Sequence, residues 1–336
     1  MSGSGGSGVP PRRRTTAAMI ASLDAEGRET REAPFGHALV ELARQREEIV
    51  GLTADLAKYT DLHVFAEAFP ERFFQMGMAE QALVGAAAGF AREGFLPFAT
   101  TYAVFASRRA YDFVCLAIAE ERLPVKLVCA LPGLTTGYGP SHQATDDLAI
   151  LRAVPGLVIL DPCDAVEIEQ AVPAIADHPG PVYMRLLRGR VPVVLDARTH
   201  RFAIGRARLL REGEDVLVIA SGFMTMRALD AAARLAGEGI EATVLHLATV
   251  KPLDVEAILE QTRRHRLVVV AENHGRIGGL GEAVASLLLG EGIAVRFRHI
   301  ALPDALLAAG ALPTLHARYG LTAEAVARRI RAWLEE

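Results

Sequence analysis

Glu71-Arg72-Phe73-Phe74-Gln75-Met76-Gly77-Met78-Ala79-Glu80-Gln81 decides how the rest of this chain is read. Glu71 to Met76 predicts a short, largely buried strand. The run that follows, Ala82-Leu83-Val84-Gly85-Ala86-Ala87-Ala88-Gly89-Phe90-Ala91, is apolar and too long for a strand, so it predicts a helix. Glu80 then stands at a strand-to-helix turn, and the strand ends of α/β sheets are where ligands gather. A helix N-terminus favours a carboxylate, whereas an apolar pocket disfavours it. A glutamate held between those effects is suited to exchanging a proton near neutral pH. The same residues also describe the first turn of an ordinary helix, so other segments must decide.

Working outward, the chain alternates. Strands are expected at Glu48–Leu52, Phe95–Ala99, Val125–Ala130, Leu157–Leu160 and Val182–Arg185. Helices are expected at 35–43, 104–120, 146–154 and 165–175. Strands that are apolar throughout and separated by helices predict a mostly parallel sheet covered on both faces. The alternation pauses near Val194-Leu195-Asp196. A second α/β unit follows, with strands at 215–219, 242–245, 267–271 and 294–298. Its helices are expected at 224–237, 254–262, 281–289 and 322–334. Three regions result: a linker-like head over 1–30, a first domain over 31–195 and a second over 196–336. The head is Gly/Ser-rich, with a short helix expected at 17–23.

Composition bounds the function. In 336 residues, half are hydrophobic and the net charge is −4, which gives no electrostatic case for nucleic acid. Cys115, Cys129 and Cys163 are scattered in apolar contexts and read as reduced thiols, which suits a cytoplasmic setting. No run is long enough to span a membrane.

Four further segments carry chemistry. Thr53-Ala54-Asp55 ends a strand. Tyr102 and Phe105 sit three apart, where they can face a flat ligand or simply fill core. Gly133-Leu134-Thr135-Thr136-Gly137-Tyr138-Gly139-Pro140-Ser141-His142-Gln143 is a loop that neither helix nor strand would choose, which favours a functional His142. Arg188 follows the last strand of the first domain. The Gly-rich turn around His274 lacks phosphate-loop spacing and reads as a tight turn.

Together these segments resemble the transketolase family. The resemblance rests on Phe73–Gln81, Tyr102-Ala103-Val104-Phe105-Ala106-Ser107-Arg108-Arg109, Gly139-Pro140-Ser141-His142-Gln143-Ala144, Asp161-Pro162 and Pro181-Val182-Tyr183-Met184-Arg185, in that order. It implies two doubly wound α/β domains: a thiamine-diphosphate pyrimidine-binding domain followed by a transketolase-type C-terminal domain. No Gly-Asp-Gly motif for magnesium and diphosphate is present. The chain therefore resembles the C-terminal subunit of a split transketolase, whose partner carries the pyrophosphate-binding domain. The implied assembly is an α2β2 heterotetramer of carbohydrate metabolism.

Several roles follow from the resemblance alone. Glu80 matches the glutamate that contacts N1′ of the cofactor's aminopyrimidine. Tyr102 and Phe105 match aromatics around that ring, and Asp55 an acidic residue close to the cofactor. His142 matches a histidine near the sugar. Arg188, with Arg31 as a second candidate, matches an arginine that binds the sugar phosphate. No metal ligand is assigned to this chain. Two residues depart from the pattern: Tyr138 stands where an aspartate reads a substrate hydroxyl, and Tyr59 where a serine lies near the phosphate. The neighbouring readings are a 2-oxo-acid dehydrogenase β-type subunit, a deoxyxylulose-phosphate-synthase-like enzyme, or a non-catalytic scaffold of a partner.

Overall fold

The computed structural model describes residues 27–336. Most of the expected head, including the helix at 17–23, lies outside the described residues. The first strand, β1 (Thr30–Glu32), already begins within that head. It is followed by α1 (Pro34–Ala43), β2 (Ile49–Thr53), α2 (His63–Ala68), β3 (Phe73–Gln75), α3 (Glu80–Arg92), β4 (Leu96–Tyr102) and α4 (Ala103–Arg109). Then come β5 (Lys126–Ala130), α5 (Asp147–Arg152), β6 (Val158–Leu160), α6 (Ala165–Asp177), β7 (Val182–Leu186) and β8 (Arg190–Pro192). Strands β2 to β7 form one parallel sheet in the order β6-β7-β5-β4-β2-β3. Strands β2, β4, β5, β6 and β7 are buried along their whole length, which is why their sequences do not alternate.

The second unit runs β9 (Arg208–Arg211), β10 (Val216–Ala220), α7 (Phe223–Ala236), β11 (Ala242–His246), β12 (Thr249–Lys251), α8 (Val255–Arg263) and β13 (Leu267–Gly275). It ends with α9 (Leu280–Gly290), β14 (Arg296–Leu302), α10 (Leu312–Tyr319) and α11 (Ala323–Glu335). Its five-stranded sheet has the order β14-β13-β10-β11-β9, parallel except for β9 at the edge. Two doubly wound α/β sheets are thus present, as the alternation predicts.

The units are less separate than a boundary near 195 suggests. After β11 the chain turns back, and β12 joins the edge of the first sheet antiparallel to β6. A buried polar seam completes the junction. Arg185, on β7, donates to both oxygens of Asp147 at 2.8 and 2.9 Å, to Asp161 at 3.1 Å and to the Asn273 carbonyl of the second unit at 3.1 Å. Tyr183 donates to Asp147 at 2.7 Å, and Ser221 donates to Asp161 at 2.9 Å.

Three expectations are corrected. The strand before Glu80 covers only Phe73–Gln75 and is a half-buried edge strand, not a largely buried one. Pro70–Arg72 forms a tight helical turn instead, from which Arg72 donates to the carbonyl of Ala43, the last residue of α1, and to the Arg46 and Glu47 carbonyls just after it. The helix expected over 104–120 breaks at Ala110 and continues through wide π-helical turns over Val114–Ala119, burying Val114 and Ile118 while Leu116 faces outward. The turn at His274 is the end of β13. Its buried ring accepts from the Ala149 amide at Nε2 and donates from Nδ1 to the Gly275 carbonyl, so it joins the two units. Cys129 and Cys163 are buried free thiols, and Cys115 is partly buried.

Candidate active site

The predicted site segments leave the C-terminal ends of neighbouring parallel strands: Asp55 after β2, Glu80 after β3, Tyr102 at the end of β4, His142 beyond β5 and Arg188 beyond β7. This is the edge at which doubly wound sheets bind ligands.

Glu80 is the first residue of α3, and only 2 % of its surface is exposed. A carboxylate there faces the helix's unpaired N–H groups and dipole. Its oxygens each lie 3.2 Å from Arg109 Nη1, and Thr101 Oγ1 approaches Oε1 at 3.5 Å. Arg109 is half-exposed, and its guanidinium carbon stacks 3.9 Å above the Phe105 ring. The sequence reading assigned no role to Arg109. Its position four residues after Phe105 on one helix face was the available signal.

Tyr102, Phe105 and Tyr138 surround the His142 ring, with centroids 6.0, 5.5 and 5.5 Å from it. Ser141 Oγ lies 2.9 Å from His142 Nδ1, which leaves Nε2 as the free ring nitrogen. Burial and the nearby Arg109 charge hold the His142 pKa below the usual histidine value, so the imidazole is neutral at neutral pH. Burial pushes the Tyr102 phenol up to about 12, keeping it a donor.

The loop that carries Tyr138 and His142 is pinned from the second unit. Asn273 Oδ1 accepts from the Leu134 amide at 2.9 Å, His316 donates to the Leu134 carbonyl at 2.8 Å, and Gly310 N donates to the Gly137 carbonyl at 2.9 Å. Gln143 donates to the Thr136 and Ala308 carbonyls. Gly133 must be glycine: its φ is +56°, and a Cβ would lie 2.1 Å from the Asn273 carbonyl.

Two predicted residues are engaged elsewhere. Asp55 is exposed and accepts from Gln75 Nε2 at 3.1 Å, while Gln75 Oε1 accepts the Asp55 and Gly77 amides. It therefore braces the turn that leads to Glu80. Arg31 pairs with Glu169 on α6. Arg188 sits with its guanidinium carbon 5.6 Å from the Tyr59 ring centre.

Two family profiles match this chain: "Transketolase, pyrimidine binding domain" over residues 27–193, and "Transketolase, C-terminal domain" over residues 205–326. This chain belongs to the transketolase family. A transketolase family protein of Sinorhizobium fredii (strain NBRC 101917 / NGR234) is 64% identical over 326 residues, covering 96% of this chain and 94% of that one. The 6-deoxy-6-sulfo-D-fructose transketolase subunit SqwH of Clostridium sp. (strain MSTE9) is 42% identical over 291 residues, covering 86% of this chain and 90% of that one. A solved split-gene transketolase, described as an inactive β4 tetramer, superposes with a TM-score of 0.83 at 42% identity, covering 90% of this chain and 97% of that one.

Transketolases use thiamine diphosphate, and the residues present suit one end of it. A buried carboxylate can accept a bond from a flat, nitrogen-bearing ring, and Arg109 links this one to the Phe105 ring, which packs against Tyr102. Among the described residues, the one His/Cys/Asp/Glu group with metal-holding geometry is Cys163, Glu167 and His246, buried between α6 and β11. The His246–Glu167 contact at 2.8 Å already uses that group as an ion pair. No helix among the described residues is long and apolar enough to cross a membrane.

Proposed function

We propose that this chain is one subunit of a two-chain transketolase that transfers a two-carbon ketol unit between sugar phosphates. A partner with the pyrophosphate-binding domain would supply the magnesium and diphosphate site, in an α2β2 assembly. The observation that carries this reading is the Glu80 carboxylate, buried at a helix start and held by Arg109, which stacks on the Phe105 ring that packs against Tyr102. When bound, thiamine diphosphate supplies the electron sink for breaking and making the carbon–carbon bond. Glu80 would hold a proton at N1′ of the aminopyrimidine, and Tyr102 and Phe105 would flank that ring. Asp55 keeps the Glu80 turn in place through Gln75. Neutral His142, oriented by Ser141, offers Nε2 to a hydroxyl or carbonyl oxygen of the sugar. Arg188 takes the anionic tail of the substrate. Arg31, paired with Glu169 in this structure, is the second candidate for that role.

A second reading concerns the donor. Tyr59 beside Arg188 and Tyr138 beside His142 replace small or acidic groups of the family pattern with phenols. They favour an anionic sugar other than a common pentose phosphate, and a sulfonated hexose is the choice that the Clostridium relative suggests. The test is to mix the purified chain with a chain bearing the Gly-Asp-Gly motif and assay ketol transfer from both donor types. Calorimetry on the chain alone should show only weak thiamine diphosphate binding. Tight, magnesium-dependent binding without the partner would overturn the two-chain reading.

A further inference from the structure

Arg188 Nε is buried without a hydrogen-bond partner. What fixes the backbone beneath it is Asp61, a residue outside the family motifs quoted above. Both Asp61 carboxylate oxygens accept the Gly189 amide at 3.0 Å, and only 1 % of the residue is exposed. On its other side, the Gly189 carbonyl accepts from the Ala33 amide at 2.7 Å, so the turn is clamped twice. Asp61 adopts a φ of +60°, an unusual conformation for a residue with a side chain. Its own carbonyl lies where a Cβ on Gly36 would come within 2.3 Å. Glycine at position 36 therefore leaves the room that the Asp61 backbone occupies.

We propose that Asp61 is a positioning residue for the substrate's anionic group: it seats the turn that carries Arg188, and its ionisation governs how much of the Arg188 charge that group meets. The inference rests on the reading of Arg188 as the anion-binding residue. The charged groups facing the carboxyl are Arg188, from the turn after β7, and Glu32, from β1. Burial raises the Asp61 carboxyl to about 7, although the Gly189 amide and Arg188 pull it down and Glu32 adds to the rise. Above that pH a carboxylate offsets the guanidinium charge. Below it, a neutral carboxyl leaves that charge to the ligand, so anions bind more tightly as pH falls through about 7.

Sulfate is the probe, because its charge is constant between about pH 6 and about pH 8.5. Its inhibition constant against the phosphorylated donor is measured in the assembled two-chain enzyme. In the unmodified enzyme that constant should rise several-fold with pH. In Asp61→Asn, which keeps an oxygen for the Gly189 amide, it should stay flat. Asp61→Ala should raise KM for the phosphorylated donor by about tenfold, with a smaller change in kcat, because the Gly189 amide loses its acceptor. Arg188→Ala is the control. Sulfate inhibition that survives it would overturn the Arg188 reading and this inference together. Inhibition lost in Arg188→Ala, but with the same pH dependence in Asp61→Asn as in the unmodified enzyme, would overturn the role of Asp61 alone.

Discussion

The Arg109 guanidinium spans the Glu80 carboxylate, with Nη1 3.2 Å from each oxygen. The buried carboxylate proposed to meet the cofactor is thus held in place by a cation on the next helix. Glu80→Gln keeps the shape and an oxygen for Arg109 but removes the acid. Exchange of the cofactor C2 proton, followed by NMR in the assembled complex, should slow by at least about 10²–10⁴-fold. Exchange at the unmodified rate would remove Glu80 from the mechanism.

Tyr138 is 39 % exposed, with its ring 5.5 Å from that of His142. A phenol there fills space and can donate, whereas a carboxylate would only accept. Tyr138→Asp should therefore improve kcat/KM for xylulose 5-phosphate relative to the native donor, by about tenfold or more. A competition between the two donors reads the ratio directly, and an unchanged ratio means that Tyr138 does not read the sugar.

Arg185 is buried among Asp147, Asp161 and Tyr183. The two aspartates respond differently. For each, burial is the largest influence and favours the neutral acid, yet Asp147 ends below the usual carboxylate range through its two bonds to Arg185, and Asp161 ends above it. Arg185→Met should cost about 3–5 kcal/mol, because it leaves two buried carboxyls without their cation. Urea unfolding monitored by circular dichroism measures it. A loss below about 1 kcal/mol would mean that the seam tolerates the missing charge.

Stability should also depend on pH through His246 and Glu167. Burial would lower the His246 pKa, but the Glu167 carboxylate outweighs it and raises the value above the ordinary 6.5. Burial likewise opposes ionisation of Glu167, whose pKa is nevertheless drawn below the ordinary 4.5 by His246 and His200. The histidine's contribution is complete below about 6.5 and fades as pH rises through its folded value. The glutamate's is complete above about 4.5 and fades as pH falls through its own. His246→Gln should cost about 2 kcal/mol near pH 5.5 and clearly less near pH 9. A gap in Tm between the two proteins that does not narrow at high pH would refute the charged pair.

The sheet strands and Glu80 at a helix start were legible in the sequence because burial on both faces and a small-residue helix leave strong local patterns. The pinning of the His142 loop was not, since Leu134 meets Asn273 through a bond that spans 139 positions and no local pattern encodes it. Strands β1, β8 and β12 are three residues each, too short for a period to show. Arg109 could have been found from its spacing to Phe105. Asp61 could not, because its role depends on a turn that follows a strand three positions away in the sheet.

Strand β12 also sets an order of events during synthesis. If the first sheet forms before Lys251 has left the ribosome, β6 is left as an unpaired edge. Unpaired edges recruit other chains, so the nascent first domain is most prone to aggregate while the second is still being made. Slow translation between Val194 and Lys251 would lengthen that exposure, and a chaperone that covers the edge of β6 would act in that interval.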